Sequence, residues 1–207
     1  MAVRFCGFID DFSQLERGDC PPEAVQLREA NDMMAVLRES FKDFWPMLVL
    51  MMALSLVRLS KGLNWAAEMR TSWIFAGIVV FVLLYIVLIF VHEGIHALLL
   101  PLKSDKEIWL YQGQAAFVYC NAPMSRLRFV VMSLAPMTVL GILPFVVWLF
   151  SAERPAAVWS IFWMILSWTM IYGGMGDYYN AKNVLEQVPK DAVVFNYGMH
   201  TYWLPRK

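Results

Sequence analysis

Two histidines and a glutamate stand at the spacing H-E-x-x-H, in the segment His92-Glu93-Gly94-Ile95-His96. On a helix, positions i and i+4 share a face, so both imidazoles can reach one metal ion while Glu93 lies beside them. This set is typical of catalytic zinc, which needs nitrogen ligands, an open coordination position and a carboxylate that takes a proton from the attacking water. We therefore predict a Zn²⁺ site with His92 and His96 as ligands and Glu93 as the catalytic general base.

The motif lies at the end of an uncharged segment, residues 71–91. At about 1.5 Å rise per residue, this segment is long enough to cross the roughly 30 Å hydrocarbon core of a bilayer. The motif can also arise by chance, and a lone buried histidine is usually an ordinary core residue. However, a glutamate between two histidines is costly to bury in so apolar a helix unless a partner compensates it. The setting therefore favours a metal site at the end of a membrane helix.

The composition of the chain is that of a membrane protein. Of its 207 residues, 59% are hydrophobic and only 16% are charged, against about a quarter charged in soluble domains. The formal net charge is zero, which gives no reason to expect a nucleic-acid partner. Cys6, Cys20 and Cys120 lack a C-x-x-C spacing, so they predict neither a disulfide framework nor a thiolate zinc site. The first residues turn acidic at once and do not form a signal peptide.

We predict an α-helical integral membrane protein with about four transmembrane helices. Three parts are expected. Residues 1–43 form a cytoplasmic leader and amphipathic helix, residues 44–176 form a four-span metalloprotease core, and residues 177–207 form a cytoplasmic tail. The leader is expected to be irregular as far as residue 21, with a surface helix at about 23–41. The apolar segments that predict the four spans are residues 44–59, 72–100, 129–152 and 156–172.

The polar interval after the second span contains two β-prone runs, residues 107–112 and 114–120, separated by Gly113. They predict a β-hairpin. Polar connections are expected at residues 60–70 and 153–155, and a further strand at 192–196.

The orientation follows from the basic residues in the loops, which favour the cytoplasmic side. With a cytoplasmic N-terminus and four spans, the cytoplasmic side has the larger share of these basic residues. We therefore predict a multi-pass protein of the cytoplasmic membrane with both termini cytoplasmic. The cytoplasmic set is Arg38, Lys42, Lys103, Lys106, Arg126, Arg128, Lys182 and Lys190, and the opposite set is Arg58, Lys61, Arg70 and Arg154.

A third zinc ligand is expected, because two histidines do not make a tight site. Asp177 is the candidate, since the glycines before it let the backbone bend and approach closely. The predicted orientation also brings the ends of the second and fourth spans to one side, so that Asp177 and the histidines meet at the same boundary. The alternative is a carboxylate that merely ends a helix in water. Glu107 or His200 would then be the next candidate ligand.

Three features together resemble the site-2 protease group of intramembrane metalloproteases: the motif on a membrane helix, Ser133-Leu134-Ala135-Pro136 in the next span, and Gly176-Asp177 after another. Within that group, residues 72–185 are most similar to a small bacterial family of zincin peptidases. One departure is Tyr178, because site-2 proteases typically have glycine after this aspartate.

The resemblance implies a zinc metallopeptidase in which His92, His96 and Asp177 hold the metal and Glu93 is the general base. Its partners would be the lipid bilayer and a membrane protein or peptide substrate, which must unwind before cleavage. An exposed edge of the 107–120 hairpin is expected to hold the extended substrate by strand addition. Asn121, just after the hairpin, is a candidate donor to the oxyanion or the substrate; alternatively, it is a turn residue.

Two other functions stay open at the level of sequence. One is a catalytically inactive pseudoprotease that binds a metal or a partner protein. The other is a small transporter in which His92, Glu93 and Asp177 line a pathway. The lack of an internal repeat and the few polar residues within the spans argue against the transporter. Neither the substrate nor the oligomeric state follows from the sequence.

Overall fold

The fold is taken from a computed structural model of the chain, which describes residues 3–30, 32–60, 71–112, 115–151 and 157–205. Most of the predicted connection at 60–70, the connection at 153–155 and the turn residue Gly113 lie outside the described residues.

Helices make up most of the described chain. Their bounds, with a π-helical turn between α3 and α4, are α1 (Met33–Ser60), α2 (Thr71–Leu99), α3 (Arg126–Pro136), the π turn (Met137–Ile142), α4 (Leu143–Phe150), α5 (Ala157–Gly173) and α6 (Met175–Gln187).

Three of these helical segments are long and apolar enough to cross a membrane: Met34–Ser60, Ser72–Leu99 and Arg126–Phe150. Taken together as one bent segment, α5 and α6 are also long and apolar enough to cross a membrane, with a bend of 42° between them. The apolar residues of α2 are largely exposed, and its mean hydropathy reaches 3.3. A helix that is apolar all round and exposed in the folded chain suits a lipid environment. The predicted count of about four spans therefore agrees with the length and composition of these helices.

The predicted surface helix and the first predicted span form one helix, α1, which contains Pro46. The helix begins at Met33, about ten residues later than predicted. Before it, Val25–Gln26 form a short strand, because they pair with the C-terminal strand of the chain. The predicted division at residue 177 falls inside α6, and the three-part division of the chain stays a prediction.

The strands form two small sheets. Their bounds are β1 (Val3–Ile9), β2 (Val25–Gln26), β3 (Lys106–Tyr111), β4 (Ala115–Tyr119), β5 (Met124–Ser125), β6 (Ala192–Tyr197) and β7 (His200–Pro205). The first sheet has the order β1-β3-β4, and the second has the order β2-β7-β6-β5. The strands β3 and β4 pair antiparallel, as the predicted hairpin requires. The strand predicted at 192–196 is present as β6.

The prediction of an irregular leader is wrong, because residues 3–9 form β1. This strand pairs in parallel with β3, from Val3 opposite Lys106 to Ile9 opposite Tyr111. Its stability depends on a partner about a hundred residues away, and local sequence patterns do not report such pairing. After β1, a 3₁₀ turn at Phe12–Leu15 folds back onto the sheet. The Tyr119 hydroxyl, on β4, donates to the Leu15 carbonyl at 2.8 Å and holds the turn there.

Candidate metal centre

The helix α2 places both histidines of the motif on one face near its C-terminal end. The ring centroids of His92 and His96 are 4.9 Å apart, and their Nε2 atoms approach to 3.2 Å. This is the arrangement that i, i+4 spacing dictates on a helix. The two nitrogens that could bind a metal therefore point to a common position.

Asp177 reaches the same position from the first turn of α6. Its Oδ2 atom lies 3.1 Å from His92 Nε2, and its Oδ1 atom lies 3.4 Å from His96 Nε2. Among the described residues, these three form the one group of His, Cys, Asp or Glu side chains that could hold a metal ion, with all ligand atoms within 4.8 Å of one another. The structure thus brings together the three predicted ligands, although their binding of a metal stays a prediction.

The bend between α5 and α6 is what directs Asp177 toward the histidines. At this bend the backbone of Gly174 lies against Met137 in the π turn, and a Cβ atom on Gly174 would be 2.7 Å from the Met137 Cβ. A residue with a side chain does not fit there without movement. The helix α6 then packs against α3 and α1, and Lys182 on α6 forms an ion pair with Asp43 on α1.

The ring of His96 is oriented by a backbone carbonyl on α3. Its Nδ1 atom is 2.9 Å from the Met132 oxygen. A carbonyl oxygen only accepts, so Nδ1 must carry the proton and donate it. In the neutral imidazole this leaves Nε2 as an unprotonated acceptor facing the Asp177 carboxylate. Metal-binding histidines usually have such a partner on the other ring nitrogen.

The donor set fits zinc in both chemistry and spacing. Two imidazole nitrogens and a carboxylate oxygen are a known catalytic zinc set, and tetrahedral bonds of about 2.0–2.1 Å separate the ligand atoms by roughly 3.3 Å. The distances of 3.1, 3.2 and 3.4 Å are close to that value. A cation at this position would be held by the two Nε2 atoms and the Asp177 carboxylate, whose two oxygens each face one histidine.

Glu93 lies on the same helix but outside this group of three. It is buried, with 6% of its surface exposed. Its carboxylate faces the Val118 backbone N–H on β4. Glu93 is thus a buried carboxylate beside the candidate metal position.

A family model described as "Putative zincin peptidase" matches residues 85–193, just over half of the chain. The chain belongs to this family. A zincin is a zinc peptidase, so membership implies zinc binding and supports a metallopeptidase. The match contains the motif of residues 92–96 and also Asp177. No significant match was found among curated proteins or among solved structures.

In this member of the zincin peptidase family, the other predicted candidates lie apart from the cluster. Asn121 is exposed, and within the described chain it forms no hydrogen bond with His92, His96 or Asp177. Its role as a donor stays a prediction. Glu107 accepts hydrogen bonds from Arg17 and Trp109, and His200 Nδ1 lies 3.2 Å from Glu29. Both alternative ligands are therefore engaged elsewhere.

Sequence analysis missed two contributors to the site of this zincin peptidase, the Met132 carbonyl and the Val118 amide. Both are backbone groups, which every non-proline residue possesses, so residue type gives no signal for them. The prediction of a hairpin after the second span is the nearest indication, because it placed a strand close to the end of the motif helix.

Proposed function

We propose that this protein is a membrane-embedded zinc metallopeptidase that hydrolyses peptide bonds of membrane-associated proteins near the cytoplasmic face. The observation that carries the proposal is the convergence of His92, His96 and Asp177 beside the buried Glu93. Family membership supports the peptidase class, and the three or four apolar helices support the membrane setting. The resemblance to site-2 proteases and the cytoplasmic placement of both termini belong to this proposal.

Zinc bound by these three residues would supply Lewis-acid activation of water and of the scissile carbonyl. Glu93 takes the proton of the attacking water and later delivers it to the leaving amine. The backbone N–H of Val118 faces this carboxylate. The Met132 carbonyl keeps His96 in the tautomer that presents Nε2. Burial of Glu93 and His96 limits screening by water, which strengthens the electrostatic effect of each group.

The unpaired edge of β4 is the proposed position for an extended substrate. β4 is at the end of the sheet order β1-β3-β4, so one side of it has no strand partner. β4 packs against α2, and its Val118 amide faces Glu93, so β4 lies beside the proposed base. A substrate strand added there would bring its backbone to the site, and main-chain hydrogen bonds would hold it extended.

Metal content tests the proposal most directly. We expect about one zinc per chain by elemental analysis of protein purified in detergent without chelators. His92→Ala should lose most of it. His200→Ala is the matched control, because it removes the histidine outside the cluster and should keep the metal. Wild-type protein without any transition metal would contradict the proposal, as would equal loss of zinc in both variants with unchanged folding.

A further inference from the structure

The first sheet has two faces, and the register assigns each residue to one of them. Side chains of directly paired residues point to the same face of a sheet. One face has Ile9, Trp109, Tyr111, Phe117 and Tyr119. The 3₁₀ turn covers it, through Phe12 and the fully buried Leu15. This face is the core of the N-terminal part of the chain.

The opposite face is apolar apart from Lys106, which is buried opposite Val3, and it becomes more exposed across the sheet. On β4, Val118 packs against the core at the end of α2 and α3. On β1, by contrast, Val3, Phe5 and Phe8 are 50%, 60% and 69% exposed. Arg4, between Val3 and Phe5, points to the other face and pairs with Asp105. The strand β1 is therefore amphipathic, with an uncovered apolar side.

A β-bulge keeps the two phenylalanines together. Phe5 lies opposite Ile108 and Phe8 opposite Leu110, so that three steps on β1 match two steps on β3. The extra residue falls between Phe5 and Gly7, and Gly7 has a positive φ of 92°. In a regular strand, residues three apart would point to opposite faces. The bulge thus puts both aromatic rings on the uncovered side.

The sheet lies beside the end of α2. β4 packs against α2, and Val118 on β4 packs against the core cluster that includes Leu100, the residue after the end of α2. With strands about 4.8 Å apart, β1 lies roughly 10 Å from β4. The apolar residues exposed along this end of α2 include Phe90 and Leu98.

We propose that the face formed by Val3, Phe5 and Phe8 inserts into the headgroup and upper acyl region of the bilayer. Lipid is the occupant, because the face is apolar and exposed and belongs to a sheet whose β4 strand packs against a helix of membrane-spanning length. Aromatic side chains favour this region of a membrane. The sheet that presents β4 to the proposed active site is then anchored to the lipid surface by β1. This inference concerns membrane contact and does not depend on zinc or peptidase activity.

Depth-dependent fluorescence quenching in proteoliposomes tests the anchor. A chain with its three cysteines replaced receives a single cysteine at Phe5, Phe8, Arg4 or Leu83, labelled with an environment-sensitive fluorophore. We expect Phe5→Cys and Phe8→Cys labels to be quenched several-fold more by nitroxide lipids than by aqueous iodide. Arg4→Cys is the matched control on the opposite face and should show the reverse. Leu83→Cys, at an exposed position within α2, is the positive control for the membrane.

Each outcome bears on the anchor. Strong iodide quenching at positions 5 and 8, with lipid quenching at Leu83, would overturn it. Protection from both quenchers would overturn it too, and would indicate that polypeptide covers the face. Absence of lipid quenching at Leu83 would show that α2 does not lie in the membrane, and would therefore contradict the inference. If the cysteine-free chain does not fold, benzoylphenylalanine at Phe8 in the native chain should crosslink to lipid, and at Arg4 it should not; equal yields would contradict the anchor.

Discussion

At the scale of single residues, His96 is held from two sides. Its Nδ1–H donates to the Met132 carbonyl, and its Nε2 faces His92 and Asp177. The chemistry of the ring is thus set by one backbone atom and two side chains. Glu93, on the same helix, faces the backbone amide of Val118.

Glu93→Gln should abolish peptide hydrolysis and leave zinc bound. Glutamine is nearly isosteric and can still accept a hydrogen bond from Val118, but it cannot take up the proton of the attacking water. General-base catalysis typically contributes about 10²–10⁴-fold, so we expect at least that loss in turnover of a cleaved peptide. Glu186→Gln, an exposed change on α6, is the control. Loss of zinc in Glu93→Gln would show that Glu93 is a ligand or a structural residue.

Asp177→Ala should weaken zinc binding by more than about 100-fold, because loss of a ligand should exceed the roughly 10–100-fold effect of changing a group that only hydrogen-bonds to a ligand. Asp177→Asn should lie between alanine and wild type, since its carbonyl oxygen can coordinate without the negative charge. Asp191→Ala, at an exposed position, should match wild type. Metal titration in detergent measures all four. Equal affinities would remove Asp177 from the site and leave the two histidines without a third ligand in the described cluster.

At the scale of elements, the site depends on close packing between the π turn and the α5–α6 bend. Gly141 lies against α5, where an added Cβ atom would be 2.5 Å from Ile171 Cγ1 and 3.0 Å from its backbone nitrogen. Because the backbone is among the atoms met, a rotamer change of Ile171 alone does not relieve the clash. The wide π turn and its glycine let α5 approach closely.

Gly141→Ala should therefore destabilise the protein by about 1–3 kcal/mol, the usual cost of overpacking a core. Gly176→Ala is the matched control, since a Cβ atom there meets nothing within 4 Å, and alanine favours a helix more than glycine does. Thermal unfolding in detergent should show a lower Tm for the first variant and an equal or higher Tm for the second. A Gly141→Ala variant as stable as wild type would mean that α5 shifts without cost.

At the scale of the whole molecule, two sets of hydrogen bonds mark opposite ends of the helices. At one end, Arg58 near the end of α1 donates to Ser151, just after α4. At the other end, Arg128 in the first turn of α3 donates to the carbonyls of Leu99 and Leu100. The span formed by α3 and α4 thus runs in the same direction as α1 and opposite to α2, and the candidate metal centre lies toward the Arg128 end.

Reporter fusions at Lys61 and at the C-terminus should therefore report opposite sides of the membrane, with the C-terminus cytoplasmic. The expectation rests on the excess of basic residues in loops on the predicted cytoplasmic side. A fusion after Lys103 is the control, because this residue follows α2 and should report the same side as the C-terminus. Cytoplasmic signals at both Lys61 and the C-terminus would contradict the four-span arrangement.

The sequence by itself determined the features that depend on local patterns. The H-E-x-x-H spacing placed His92 and His96 on one face, and the long apolar runs predicted the membrane-length helices, but not α6. Two β-prone runs around Gly113 predicted the β3–β4 hairpin. Periodicity and apolar length act within a few turns of chain, so they can be read without knowledge of the fold.

Only the tertiary structure decided what depends on distant contacts. The approach of Asp177 to His92 joins residues 85 positions apart, and sequence could suggest it only through topology. The Met132 carbonyl and the Val118 amide have no residue-type signature, because every non-proline residue has both groups. The strand β1 exists through its parallel partner β3, and strand formation is set more by such partners than by intrinsic preference. Local propensity therefore predicted the β3–β4 hairpin but missed β1, the third strand of that sheet.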